Sequence, residues 1–139
     1  MRTTSAFKCL AAAALCLAAT AQAATLDDFR REFAQAVYAG SPELVHDRQP
    51  QALLRAVVVL NIKLSDDNRW QADVLRTNSM QPEMLQRALQ TVERARVNEV
   101  PQDLADELRR NGIYETWLFD KDGSFQVKTL AKAQRYAGQ

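Results

Sequence analysis

One histidine, His46, and two short acidic clusters, Asp66-Asp67 and Asp120 with Asp122, are the residues from which acid, base or metal chemistry would have to be built. A hydrolytic relay would need His46 with a carboxylate beside it. Zinc normally takes several His or Cys ligands, so one histidine supplies no structural zinc site. His46 lies in the polar run Val45-His46-Asp47-Arg48, which reads as a solvated surface connection. Asp120-Lys121-Asp122-Gly123 starts like a calcium loop, yet the twelfth position is Ala131, where such a loop needs a bidentate Glu. Both acidic clusters have the composition of tight turns, and a hairpin tip keeps its carboxylates in water. With only four glycines, Gly40, Gly112, Gly123 and Gly138, there is no phosphate-cradling loop. These residues assign no catalytic, cofactor-binding or metal-binding role, and no cofactor.

The N-terminal stretch speaks to compartment. Arg2 and Lys8, the apolar run Cys9 to Ala19 and the small-residue site Ala21-Gln22-Ala23 have the layout of a secretory signal peptide over residues 1–23. The apolar run is roughly half of the ~20 residues that a spanning helix requires. Ala13-Ala14-Leu15 before Cys16 does not have the arrangement of a lipid-attachment site. The expectation is a periplasmic or secreted protein cut near Ala23, with no transmembrane span afterwards. Losing Arg2 and Lys8 takes the 18 basic residues to 16, against 17 acidic ones, and both cysteines leave with the leader. A near-neutral domain with mixed signs is a poor partner for nucleic acid or anionic lipid. Residues 24–139 are long enough for one domain without disulfides.

The remaining elements follow from periodicity. Thr25 with Asp28 three positions on reads as a helix start, and Leu26, Phe29, Phe33, Ala36 and Val37 form the apolar stripe of a helix over Leu26 to Ala39. Leu54, Ala56, Val58, Leu60, Ile62 and Leu64 alternate as one face of a strand, with Val57 and Val59 predicting partial cover on the other. A three-residue turn Asp66-Asp67-Asn68, with Asn68 left-handed, sets Leu64 against Trp70, Ile62 against Ala72 and Leu60 against Val74 in a second strand from Arg69 to Thr77.

Pro82 opens a helix to about Val97 with the stripe Leu85, Ala88, Leu89, Val92 and Ala95. A shorter helix from Pro101 to Arg110 stops at Asn111-Gly112. Ile113 to Phe119 and Phe125 to Leu130 flank a turn with Gly123 left-handed, pairing Phe119 with Phe125 and Trp117 with Val127. Trp70, Trp117, Phe119 and Phe125 are expected in the core, and residues 131–139 form a tail. The fold class is α+β: an N-terminal helix, an antiparallel sheet of about four strands ordered 2-1-3-4, a crossover helix and a short helix.

Leu54 to Leu64, its turn, Arg69 to Asn78 and then Gln81 to Ala95 with Ala88-Leu89 at the centre resemble the C-terminal domain of TonB-type energy transducers, over about Ala52 to Val97. That resemblance implies a helix-covered antiparallel sheet that works through protein contacts, by adding a partner strand at a sheet edge. The family's retained membrane helix and Pro-rich spacer have no counterpart in the sequence. The leading functional expectation is a non-enzymatic periplasmic protein that acts through protein–protein contacts, with another envelope protein as partner. Two alternatives stand beside it: capture of a small apolar ligand between the sheet and the Leu26 to Ala39 helix, and a hydrolase of unknown type built on His46 and a carboxylate.

Overall fold

A computed structural model describes residues 14–78 and 81–133 of the 139-residue chain, and for 14–25 it describes the backbone alone. Arg2, Lys8 and Cys9, which the sequence reading assigned to a signal peptide, and the residues beyond Ala133 lie outside the described residues. In chain order the elements are α1 (Ala14–Gly40), a 3-10 turn (Pro42–Leu44), β1 (Ala56–Leu64), β2 (Trp70–Thr77), α2 (Pro82–Arg94), α3 (Gln102–Arg110), β3 (Ile113–Phe119) and β4 (Phe125–Val127). The four strands form one antiparallel sheet ordered β2-β1-β3-β4, the α+β architecture read from the sequence.

Alternation decides which face of the sheet is covered. Ala56, Val58, Leu60, Ile62 and Leu64 of β1 are buried, as are Ile113, Glu115, Trp117 and Phe119 of β3. The register sets Val58 opposite Trp117, Ala56 opposite Phe119 and Ile62 opposite Ile113, so these side chains share one face. Phe29 and Phe33 of α1 reach that face at Trp70, with ring centroids 5.6 and 5.4 Å away. From α2, the Thr91 hydroxyl accepts the Trp117 indole N–H at 2.9 Å and donates to the Ala88 carbonyl at 2.7 Å. Every polar atom of that buried tryptophan contact is therefore partnered.

The hairpin β1–β2 has the expected register, with Leu64 on Trp70, Ile62 on Ala72 and Leu60 on Val74. Its turn closes with Asn68 at φ 60° and with the Ser65 N–H donating to the Arg69 carbonyl at 2.8 Å. Ser65 also donates its hydroxyl to Asp67, which holds that carboxyl below the usual carboxylate range. One feature has no sequence signal: the register shifts between Val59 and Leu60, where Val59 pairs with Arg76 and Leu60 with Val74. Leu75 is the extra residue of a β-bulge.

Several boundaries differ from the periodicity. α1 is already helical from Ala14 and runs through Thr25 instead of starting after it, because the alanine-rich stretch ahead of Thr25 is a strong helix former and continues into the same helix. α2 stops at Arg94, three residues before Val97, as Ala95 takes an extended backbone. β4 stops at Val127, and residues 128–130 turn, with the Leu130 N–H bonded to the Val127 carbonyl. On α2 the deeply buried side chains are Met84, Ala88, Thr91 and Val92, whereas Leu85 and Leu89 are half-buried at the rim of the core. The buried stripe is thus rotated by about one residue from the expected one, toward the Trp117 contact.

Gly112 links α3 to β3 at φ +66°, a conformation that costs any other residue roughly 1–2 kcal/mol. A methyl group there would also meet the Ile62 carbonyl and the Asn61 amide oxygen at contact distances no carbon tolerates. Gly112→Ala is expected to lower stability by about 2 kcal/mol, read as a shift in the urea midpoint with an unchanged slope.

Candidate functional site

Three places on the fold could carry function. The first is the junction of the residue 45–51 connection with the last hairpin. Val45 forms a parallel bridge to Phe125, and the His46 N–H donates to the Phe125 carbonyl at 2.8 Å. Gln126, buried in β4, donates its side-chain amide to the carbonyls of His46, at 2.9 Å, and of Arg48. Further along, the Gln51 N–H donates to Asp120 Oδ1 at 3.2 Å. The connection is strapped along the outer side of β4.

This places His46 and Asp120 differently from the sequence reading. The His46 side chain is 14% exposed and Asp120 only 2%, so neither is a solvated surface group. Asp120 closes β3 just before the turn and faces inward, because the 45–51 connection covers a hairpin end that would otherwise lie in water. His46 Nδ1 lies 3.0 Å from Asp120 Oδ2 and 3.2 Å from Ser124 Oγ. Ser124 in turn donates its hydroxyl at 2.5 Å and its amide at 2.9 Å to Asp122 Oδ1. Those two bonds, ahead of the charge of His46, pull the Asp122 carboxyl below its ordinary range.

Serine, histidine and aspartate do meet here, a convergence that sequence spacing did not foresee. Their geometry is not that of a hydrolytic relay. In such a relay the imidazole takes the serine proton on one nitrogen and is held by the carboxylate through the other. Here Asp120 and Ser124 share Nδ1, and Nε2 is buried without a partner. The Ser124 hydroxyl is directed to Asp122 rather than to a base. The trio works as a clasp between the connection and the hairpin. Among the described residues no three His, Cys, Asp or Glu side chains converge as a metal site.

The second place is a pair of clefts on either side of the Val97–Val100 segment. One, of about 390 Å³, is bordered by Leu64, Trp70, Val100, Asn68 and Arg109. The other, of about 280 Å³, lies against Asp28, Phe29 and Glu32 of α1 and Leu104 of α3. Neither occupies the space between α1 and the sheet where a ligand pocket was expected; Phe29, Phe33 and Trp70 fill it. Arg109 is already engaged, donating to Asn68 at 2.7 Å and to Asp106 at 3.3 Å.

The third place is the β2 side of the sheet. Among the described residues β2 has β1 as its strand neighbour and none beyond, and residues 73–78 are exposed, including Val74 at 42% and Leu75 at 54%. The opposite edge differs, because the 45–46 segment lies along β4. On the sheet face turned away from Trp117, Val57, Val59, Thr116 and Leu118 are half-buried and Tyr114 is exposed. No helix of the described residues is long and apolar enough to cross a membrane.

No family model, characterised protein or solved structure matches the chain. The functional reading therefore rests on the residues themselves. What sequence reasoning missed at the clasp is instructive: nothing between positions 46 and 120 announces that they meet, and only Asp122-Gly123-Ser124 carried a local turn signal. The open edge, in contrast, was implicit in the strand order.

Proposed function

We propose that this chain is an exported, non-enzymatic protein of the periplasm that acts through protein–protein contacts, by pairing with a protein strand along β2, in the manner of a TonB C-terminal-like domain. The observation that carries the reading is the exposed edge strand Trp70–Thr77, with Val74 and Leu75 presented to solvent at its centre. Long edges with exposed apolar residues are templates for an added strand, and proteins that do not use them blunt or cover them. Among the described residues the β4 edge of this sheet is covered and the β2 edge is not. Support for export comes from the leader-like residues 1–23, and support for a non-catalytic role from the Nδ1-sharing arrangement at His46.

The test is a photo-crosslinking amino acid placed at Leu75 in one variant and at Gln90, on the exposed side of α2, in another, with expression of the full sequence in cells. The expected result is a defined crosslinked protein from position 75 and none from position 90. Equal products from both positions, or none from position 75, would refute the reading.

A second reading, capture of a small apolar ligand, is favoured by the cleft at Leu64, Trp70 and Val100. Its signature is a saturable rise in melting temperature with an aliphatic or aromatic ligand that Trp70→Ala abolishes.

A further inference from the structure

We infer that the partner seated on β2 is a second copy of this chain, paired antiparallel about a two-fold axis that passes through the bulge at Val74 and Leu75. This rests on the β2-edge reading above and narrows it to one occupant. The inference comes from the register and from two charges. Asp73 pairs with Asn61 and Arg76 with Val59, so both side chains stand on the same face of the sheet despite their odd spacing in sequence. The bulge makes this possible by letting Val74 and Leu75 together occupy the place opposite Leu60.

Measured along β1, Asp73 and Arg76 therefore stand one step to either side of Leu60. An antiparallel strand of identical sequence, centred on the same step, sets its Arg76 opposite Asp73 and its Asp73 opposite Arg76. Two ion pairs form, on one face, related by the two-fold, as an isologous contact demands. Val74 of each copy meets its own counterpart at the axis, with Leu75 beside it, and these are the exposed apolar side chains of the strand. Asp73 and Arg76 are themselves exposed and have no ion-pair partner among the described residues.

Bulges and edge charges also serve to keep edges apart. The signs separate the two uses. A protective arrangement brings like charges together across the axis, whereas Asp73 and Arg76 bring opposite ones. Had the bulge been missing, the two residues would point to opposite faces and no such pairing would exist.

The experiment is sedimentation equilibrium on the protein purified after expression of the full 139-residue sequence, over a range of concentrations, for the native chain, Asp73→Arg, Arg76→Asp and the double exchange. A concentration-dependent dimer is expected. Each single exchange sets like charges against each other twice and should weaken dimerisation by about tenfold or more. The double exchange rebuilds both pairs with signs reversed and should return the affinity to within about threefold of the native value. Raised salt should weaken the native dimer. If a single exchange loses the near-ultraviolet circular dichroism of the packed aromatics, the milder Asp73→Asn and Arg76→Gln take its place, each expected to weaken the dimer by about threefold.

A monomer at every concentration, a dimer indifferent to the single exchanges, or a double exchange that stays weak would each overturn the inference. The Leu75 crosslink tells the two failures apart. A product with a different protein, and no dimer, sinks self-pairing and leaves the edge reading standing; no product at all sinks the edge reading itself.

Discussion

Trp117→Ala is expected to be the most damaging single substitution in the chain, lowering unfolding free energy by about 4 kcal/mol. Trp117 is fully buried, the largest such side chain, and stands opposite Val58 and Val127 in neighbouring strands. Removing the indole opens a void between three strands and α2. It also leaves the Thr91 hydroxyl without the N–H it accepts. Domains of this size are stable by about 5–15 kcal/mol, so a loss on this scale consumes a large share of the total. Equilibrium urea unfolding should place the midpoint far below that of the native chain, and a drop under 1 kcal/mol would show that α2 closes over the site without the indole. Thr91→Val isolates the polar part: it keeps the shape and orphans the indole N–H, which should cost about 1–3 kcal/mol.

The second large effect belongs to Asp120. Asp120→Ala removes the acceptor of both the Gln51 N–H and His46 Nδ1, with the carboxylate 2% exposed and the imidazole 14% exposed. The Gln51 N–H can turn to water because that residue is exposed, and His46 Nδ1 keeps Ser124 Oγ at 3.2 Å, so the expected loss is about 1–2 kcal/mol, most of it from the buried contact to the imidazole. The damage should be local in kind. Hydrogen exchange at residues 45–51 should accelerate far more than at Val58 or Leu60 in β1. Uniform acceleration across both regions would mean that the clasp holds no separate unit. His46→Ala should loosen the same segment. If it instead removed a measurable hydrolytic activity with the segment still protected, the clasp reading would fail and the hydrolase alternative would return.

The parts of this fold that were legible in the sequence are those set by nearest neighbours. β1 announces itself because Ala56, Val58, Leu60, Ile62 and Leu64 alternate without a break, and a period of two has no other stable solution in a half-covered sheet. Once Asn68 is granted a left-handed turn, counting residues fixes Leu64 on Trp70 and every pair after it as far as Val74. Gly123 and Phe119 fix the second hairpin in the same way. The strand order then follows from a crossover helix that must return the chain to the free side of β1.

The misses share a cause as well. His46 and Asp120 are 74 positions apart, and their meeting depends on how a polar connection lies along β4, which no local period encodes. The bulge at Leu75 is a single-residue slip inside an otherwise regular strand, without a glycine to mark it. On α2, Met84 and Thr91 take the deepest positions in place of Leu85 and Leu89, and Thr91 there accepts the Trp117 indole N–H, a donor that no leucine side chain can satisfy. Hydrophobicity counting ranks leucine above threonine and so turns the helix slightly the wrong way.

The parallel bridge from Val45 to Phe125 has a consequence for assembly. A sheet with two bare margins can recruit neighbour after neighbour and grow into a filament, whereas one with a single bare margin stops once that margin is used. By sealing the β4 border with its own connection, this chain makes any strand-to-strand association finite. Loss of the His46–Asp120 clasp would thus endanger solubility as well as stability, since it frees the border that blocks runaway polymerisation.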